Sequence, residues 1–266
     1  MERAALYHGP MNGFFSAIYR HQRIVTIASL ALVVGLCVPA MQWSGDQVMM
    51  IDPGADRFLY AALVFVMWWT MMMAMMLPTA VPALLTDAAI ARKWSPGEDP
   101  AALQISFALG YAAVWSGFAL LATVVNVVAG QAVQMTPMMA ITSKIIGVVL
   151  LLLAGLYQLT PGKQSCLVKC QSPLAFLPGQ WRAGRAASFQ RGLRHGLYCT
   201  GCCGPLMLLL FYGGVMEPNW IGGVALYALI EKLIPAQWRL YQLTGGLLIL
   251  WAVLLAVSLV WPSAGV

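Results

Sequence analysis

The sequence predicts an all-α membrane protein, a polytopic bundle of about seven transmembrane helices with a cytoplasmic N-terminus. Of its 266 residues, 61% are hydrophobic and only 9% are charged, and the mean hydropathy is +0.77. A soluble domain of this size carries about 25% charged residues. Apolar runs long enough to cross a bilayer, about 20 residues each, recur along the chain. No stretch between them is long enough for a soluble domain.

The apolar runs place seven spans in order along the chain. They lie at 24–41, 58–85, 105–129, 143–159, 196–216, 219–235 and 242–261. The sixth is short and contains Glu231 and Lys232, so six spans plus a re-entrant segment is the alternative. We expect a cytoplasmic arm over 1–23, one transmembrane domain over 24–261 that includes a basic cytoplasmic loop at 160–194, and a C-terminal tail at 262–266. No cleavable signal peptide is expected, because the first apolar run begins only at Ile24.

The distribution of basic residues predicts the orientation. With the N-terminus inside, thirteen of the fifteen Lys and Arg residues fall in cytoplasmic loops, and only Arg57 and Lys144 fall outside. This is the bias that positions membrane proteins with their basic loops inside. The same loops account for the net charge of +6, which therefore does not indicate a nucleic-acid partner. We expect a multi-pass protein of the bacterial cytoplasmic (inner) membrane.

The cysteines predict a metal or redox site at the cytoplasmic mouth. Five of the six are expected there: Cys166, Cys170, Cys199, Cys202 and Cys203. Offsets of three and four residues put the last three on one helix face, and His195 lies one turn earlier on that face. Cytosolic thiols are kept reduced, so these cysteines are interpreted as metal ligands or redox thiols rather than as a disulfide framework. Cys37 lies inside the first span and is interpreted as a core residue.

The methionines predict a series of thioether ligands along which a metal ion could pass. Met71, Met75 and Met76 belong to a methionine-rich second span, and Met67, Met71 and Met75 share one face at four-residue spacing. Seven more fall at or near the outer side: Met41, Met49, Met50, Met135, Met138, Met139 and Met216. Thioethers bind without losing a proton and suit Cu(I), although most single methionines in helices serve packing. Together they would form a series of sites of increasing affinity across the bilayer, from the outer methionines through the methionine-lined span to the inner thiols.

Two further features of the sequence lie in the cytoplasmic half of the predicted membrane domain. Glu231 is the one acidic residue within a span, and an intramembrane carboxylate is costly and usually functional. The alternative interpretation is that it only neutralises Lys232 or an arginine. Pro78 and Pro82 are expected to bend or end the second span.

Five ordered motifs between about residues 60 and 240 carry a family resemblance. They are Trp68-x-x-Met71-x-x-Ala74-Met75-Met76-x-Pro78, Tyr157-Gln-Leu-Thr-Pro161 with Lys163, Cys166-Leu-Val-Lys-Cys170, Cys199-Thr-Gly-Cys-Cys203, and Glu231-Lys232 with Pro235. In this set the chain resembles a bacterial family of predicted metal-binding integral membrane proteins, a domain family of unknown function. The resemblance implies a helical membrane fold and a site built on the cysteines, to which the Met75-Met76-x-Pro78 segment and the Glu231-Lys232 pair contribute. It implies no particular metal or reaction.

The leading hypothesis is a membrane protein that binds a soft metal ion, above all Cu(I), for transport or delivery. Its metal ligands would come from Cys199, Cys202, Cys203, Cys166, Cys170, Met71, Met75, Met76, Glu231 and His195. Zinc and an iron–sulfur cluster stay open. The expected partners are the bilayer, the metal ion, and a metal chaperone or other membrane subunits. The absence of nucleotide-binding and hydrolase motifs argues against a primary pump.

Two alternatives come from other classes of protein. A membrane thiol–disulfide oxidoreductase would exchange Cys166 and Cys170 with the Cys199–Cys203 group. A non-catalytic accessory subunit of a membrane complex would use paired glycines for close helix packing. Those pairs are Gly213-Gly214, Gly222-Gly223 and Gly245-Gly246.

Overall fold

The structure, a computed structural model, describes residues 13–51, 54, 56–94, 97–136, 138–171 and 184–261. The helices within these ranges are α1 Gly13–Met50, α2 Arg57–Trp94, α3 Pro100–Ala132, α4 Lys144–Gln158, α5 Pro161–Gln171, α6 Arg185–Met207, α7 Leu210–Gly213, α8 Pro218–Leu233 and α9 Leu240–Val260. The described residues contain no strand beyond a single β-bridge between Met135 and Ile141. The predicted all-α class is therefore confirmed.

Among the described residues, four helical segments are long and apolar enough to cross a membrane. They are Arg57–Ile90, Pro100–Ala132, Arg185–Gly213 and Leu240–Val260, and α4 with α5 makes a fifth if this pair, bent by 65°, is one broken span. The predicted first and sixth spans correspond to α1 and α8. Because α8 has 16 residues, it extends only about 24 Å and is shorter than a full crossing. The count of seven spans and the orientation stay predictions.

The second span does not end at Pro78 or Pro82, which was one of the two outcomes expected of these prolines. Helix α2 continues through both to Trp94. Each proline removes one backbone donor, which frees the carbonyl four residues earlier, that of Ala74 or Pro78. Two threonine hydroxyls nearby bond to other carbonyls of the helix. The Thr86 hydroxyl donates to the Pro82 carbonyl at 2.7 Å, and the Thr79 hydroxyl donates to the Met76 carbonyl at 2.7 Å.

The expected basic loop at 160–194 also contains regular structure. Helix α5 begins directly after α4 with Pro161 at its first position, where a proline has no hydrogen bond to lose. Helix α6 begins at Arg185, so ten residues assigned to the loop belong to the helix that carries the cysteine cluster. Residues 172–183 lie outside the described part of the chain.

Close helix contacts depend on glycine at a few positions. A Cβ at Gly192 of α6 would collide with the Phe107 carbonyl of α3, and one at Gly110 would collide with the Phe189 carbonyl. Gly155 and Gly245 play the same part between α4 and α9. Of the predicted glycine pairs, Gly222-Gly223 faces open space. Helices α2, α3 and α6 thus form a tight core on which α5 and α8 place the site.

Candidate metal centre

The three cysteines of α6 share one buried face. Cys199, Cys202 and Cys203 have no solvent-exposed surface. The Cys202 and Cys203 sulfurs lie 3.4 Å apart, and the Cys202 thiol donates to the Cys199 carbonyl at 3.2 Å. The helical offsets predicted from the sequence therefore bring the three thiols together.

Helix α5 contributes a fourth thiol, and only one of its two cysteines reaches the cluster. The Cys170 side chain is buried and lies close enough to Cys199 and Cys202 for the three thiols to interact electrostatically. Cys166, one turn earlier, packs against Gly201, where a Cβ would come within 2.8 Å of its sulfur. We call Cys170, Cys199, Cys202 and Cys203 the thiol cluster.

The backbone of α6 is loosened where it carries the thiol cluster. Pro205 has no N–H, so the Gly201 carbonyl loses its partner within the helix. The Tyr157 hydroxyl of α4 donates to that carbonyl at 2.6 Å. The Lys163 ammonium donates to the Cys202 carbonyl at 2.5 Å. Neighbouring helices thereby fix the cluster's turn, and α6 ends two residues after Pro205.

A lysine and a tyrosine contact the thiol cluster directly. The Lys232 Nζ lies 2.9 Å from the Cys199 sulfur and 2.7 Å from the Thr79 hydroxyl. The Tyr111 hydroxyl lies 3.1 Å from the same sulfur and donates to the Met76 carbonyl at 3.0 Å. The ammonium offsets negative charge on a thiolate or on a metal–thiolate unit, which a buried site requires.

Glu231 forms a buried ion pair with Lys163. Its Oε2 accepts from Lys163 at 2.7 Å, its Oε1 accepts from the Tyr227 hydroxyl at 2.8 Å, and the two ion-paired side chains are almost fully buried. Successive residues on a helix diverge by about 100°, so Glu231 meets Lys163 whereas Lys232 meets Cys199. The alternative that Glu231 neutralises Lys232 is not what the structure shows. As a ligand, Glu231 would have to give up one of these contacts.

His195 lies beside the thiol cluster between two aromatic rings. Its ring centroid is 5.9 Å from that of Phe107 and 5.8 Å from that of Tyr111. Its Nε2 is buried and has no hydrogen-bond partner among the described residues. The imidazole is therefore held in place with one nitrogen unused.

The predicted methionine ligands belong to the same buried core as the cysteines. Met71 and Met76 have no exposed surface, and Met75 is 5% exposed. Met76 is linked to the cluster through its carbonyl, which accepts from Tyr111. Met71 and Met75 lie farther along α2, on its Arg57 side.

The thiol cluster is a set of donors rather than a finished coordination shell. Within the described ranges, no group of three or more His, Cys, Asp or Glu side chains is already arranged around one ion position. The thiols hydrogen-bond to one another instead, and a bound metal would replace their protons. Soft sulfur donors, burial and a neighbouring cation suit a soft monovalent ion.

Of the polar residues around the cluster, only Lys232 was expected at the site, as part of the Glu231-Lys232 pair that the family resemblance implies. Lys163, Lys232, Tyr111 and Tyr227 all bond to a cysteine or to Glu231. The two lysines carried a usable signal, because a charged residue in an apolar helix is usually paired and functional. The tyrosines carried none, because nothing in their local sequence distinguishes them from packing residues.

One comparison with known proteins gives a match. Residues 65–255, more than half of the chain, match the family model PpoB2, whose description is copper chaperone. No curated protein and no solved structure matches. The matched range includes all four residues of the thiol cluster, both lysines and Glu231.

Proposed function

The chain belongs to the PpoB2 copper chaperone family, and from this premise we propose that it binds Cu(I) within the membrane and delivers it to another protein. Family membership supports a copper-related role, and the apolar helices are compatible with a membrane location. The observation that carries the proposal is the thiol cluster, in which two helices bring four buried thiols close together.

Charge balance favours Cu(I) over the other metals considered. Two thiolates around a monovalent ion carry a net charge of −1, which the Lys232 ammonium cancels. Four thiolates around Zn²⁺ carry −2, and one lysine leaves a buried negative charge. Since unpaired charge in a low-dielectric site is costly, the geometry favours two thiolates and a monovalent ion.

The remaining predicted ligands take different roles in this proposal. Met71, Met75 and Met76 pass the ion along α2, because thioethers hold Cu(I) without proton release and exchange it readily. His195 lies beside Cys199, and its Nε2, which has no hydrogen-bond partner among the described residues, serves as an additional ligand for the ion. Glu231 acts through Lys163, which holds the Cys202 carbonyl, and so positions the thiols. We also retain the seven-span topology and the bacterial inner membrane as parts of the proposal.

Copper content of the purified protein tests the proposal. Protein prepared in detergent under reducing conditions is expected to contain about one copper ion per chain, and a Cys202→Ser, Cys203→Ser double variant to lose it. Cys37→Ser is the matched control, because Cys37 is also buried but lies on α1. If the double variant keeps its full copper content, the thiol cluster is not the site.

Thiol–disulfide exchange is the second candidate, favoured by the 3.4 Å separation of the Cys202 and Cys203 sulfurs and the contact of Cys170 with Cys202. Forming a Cys170–Cys202 disulfide would release two electrons and two protons to a partner's disulfide, which becomes two thiols. The complete burial of Cys199, Cys202 and Cys203 disfavours attack by a protein disulfide. A mixed disulfide trapped with a Cys202→Ser variant would support exchange over copper delivery.

A further inference from the structure

A cavity of about 580 Å³ lies far from the thiol cluster. It is bounded by the last turn of α1, the start of α2, the end of α3 and residues 133–136 and 139. Tyr60 lines it, whereas Met76, on the same helix, is joined to Cys199 through Tyr111. Sixteen residues of helix separate Tyr60 from Met76, or about 24 Å along α2.

Three methionines from two parts of the chain line this cavity. They are Met49 of α1 and Met135 and Met139 of the segment after α3. Of the seven methionines predicted at or near the outer side, these three line the cavity. Met50 and Met138, 78% and 45% exposed, are not among the residues that line the cavity.

The segment that carries Met135 and Met139 is held in a fixed shape. The Thr136 hydroxyl accepts from the Ala140 N–H at 3.1 Å, and the Thr142 hydroxyl donates to the Gln134 carbonyl at 2.7 Å. Met139 has a left-handed backbone with φ of 55° and is buried. A left-handed non-glycine residue costs about 1–3 kcal/mol and persists only where its surroundings impose it. The turn therefore fixes Met139 at the cavity wall.

The chemistry of the wall selects a class of ligand. None of the described residues lining the cavity is charged, and its polar groups come from Tyr60, Gln131, Gln134 and Thr136. The described lining residues include no carboxylate, the charged ligand that Mg²⁺, Ca²⁺ and Mn²⁺ prefer, but they include three thioethers, which select Cu(I) and similar soft ions.

We propose that Met49, Met135 and Met139 form a thioether site that takes up a soft monovalent cation at the end of the bundle opposite the thiol cluster. Between the two sites, α2 carries the buried methionines Met67, Met71 and Met75 at four-residue spacing. The site extends the proposed function, since it would load the ion that the cluster later holds. Its binding chemistry does not depend on the cysteines.

Titration with Ag(I), a redox-stable monovalent probe of soft-metal sites, tests the thioether site. In otherwise intact protein, the variant Met49→Leu, Met135→Leu, Met139→Leu is expected to bind one silver ion fewer per chain. Leucine keeps the apolar volume, so the fold should be retained. The control Met50→Leu, Met138→Leu changes neighbouring methionines outside the cavity and should leave the stoichiometry unchanged. Equal stoichiometry and affinity in the triple variant and the wild type would overturn the inference.

A second variant separates this inference from the proposed function. With Cys170, Cys199, Cys202 and Cys203 replaced by serine, one silver ion should remain, and it should disappear when the three leucines are added. If the cysteine variant binds as many ions as the wild type, the thiol cluster is not a metal site, and the proposed thioether site is unaffected by that result. If the folded cysteine variant binds none, the thioether site fails. If that variant does not fold, the silver affinity of the single variant Met49→Leu is measured in the otherwise intact chain. Met49 is half-exposed, so this change should not disturb the fold. A weaker affinity than that of the wild type supports the thioether site, and an equal affinity contradicts it.

Discussion

Replacing Lys232 by methionine tests the charge balance on which the choice of Cu(I) rests. The change removes the ammonium 2.9 Å from the Cys199 sulfur and keeps an unbranched side chain of similar length. Two unit charges about 4 Å apart interact by roughly 4 kcal/mol at an effective dielectric constant of 20. Removing the buried ammonium also removes its own desolvation cost, which offsets part of this loss.

The net effect on copper binding is therefore smaller than the Coulomb energy. We expect a loss of about 1.4–2 kcal/mol, which raises the Kd for Cu(I) roughly 10- to 30-fold. Competition with a chromophoric Cu(I) chelator measures this change in detergent. Lys232→Arg keeps the charge and should retain more of the affinity. Lys169→Met removes an exposed lysine of α5 and should have no effect.

Two results would refute the reasoning. An unchanged Kd in Lys232→Met would show that the ammonium does not balance a metal–thiolate charge. A tighter Kd would show that it competes with the ion for Cys199. Thermal unfolding of each variant separates loss of binding from loss of structure.

Three further predictions concern the residues around the site. Cys170→Ser should lower copper content as strongly as Cys202→Ser, whereas Cys166→Ser should not, because only Cys170 contacts the cluster; equal loss in both would contradict the separation. Glu231→Leu leaves Lys163 buried without its counter-ion and should lower the free energy of unfolding by about 3–5 kcal/mol, measured as a lower Tm. The double variant Glu231→Leu, Lys163→Met should recover most of this loss. Gly192→Ala places a methyl group against the Phe107 carbonyl and should destabilise the protein by about 1–3 kcal/mol; Gly223→Ala, which faces open space, is the control, and equal Tm values in the two would show that α3 and α6 are not closely packed there.

The sequence could predict the helical class and the face shared by three cysteines because both follow from local periodicity. Runs of apolar residues determine helix length, and offsets of three and four determine which thiols align. The four-residue spacing of Cys166 and Cys170 predicted that both lie on one helix face, and both lie on the side of α5 that meets α6. Cys166 packs against Gly201, whereas Cys170 lies near Cys199 and Cys202. This difference depends on where the two helices meet, which local periodicity does not give.

The partners of the charged residues could not be predicted for the same reason. Glu231 and Lys232 are adjacent in sequence, yet a helix directs neighbours about 100° apart. Each therefore finds a partner on another helix, Lys163 for Glu231 and Cys199 for Lys232. The prolines of α2 show a further limit of local sequence, since the helix continues through both of them to Trp94 in spite of their tendency to end a helix.

X-ray absorption at the copper edge shows whether the thiols bind copper. In copper-loaded protein, we expect Cu(I) with a shell of sulfur neighbours, and loss of this spectrum in the Cys202→Ser, Cys203→Ser variant. A shell of nitrogen and oxygen only, or Cu(II) under reducing conditions, would contradict a thiol-based copper site.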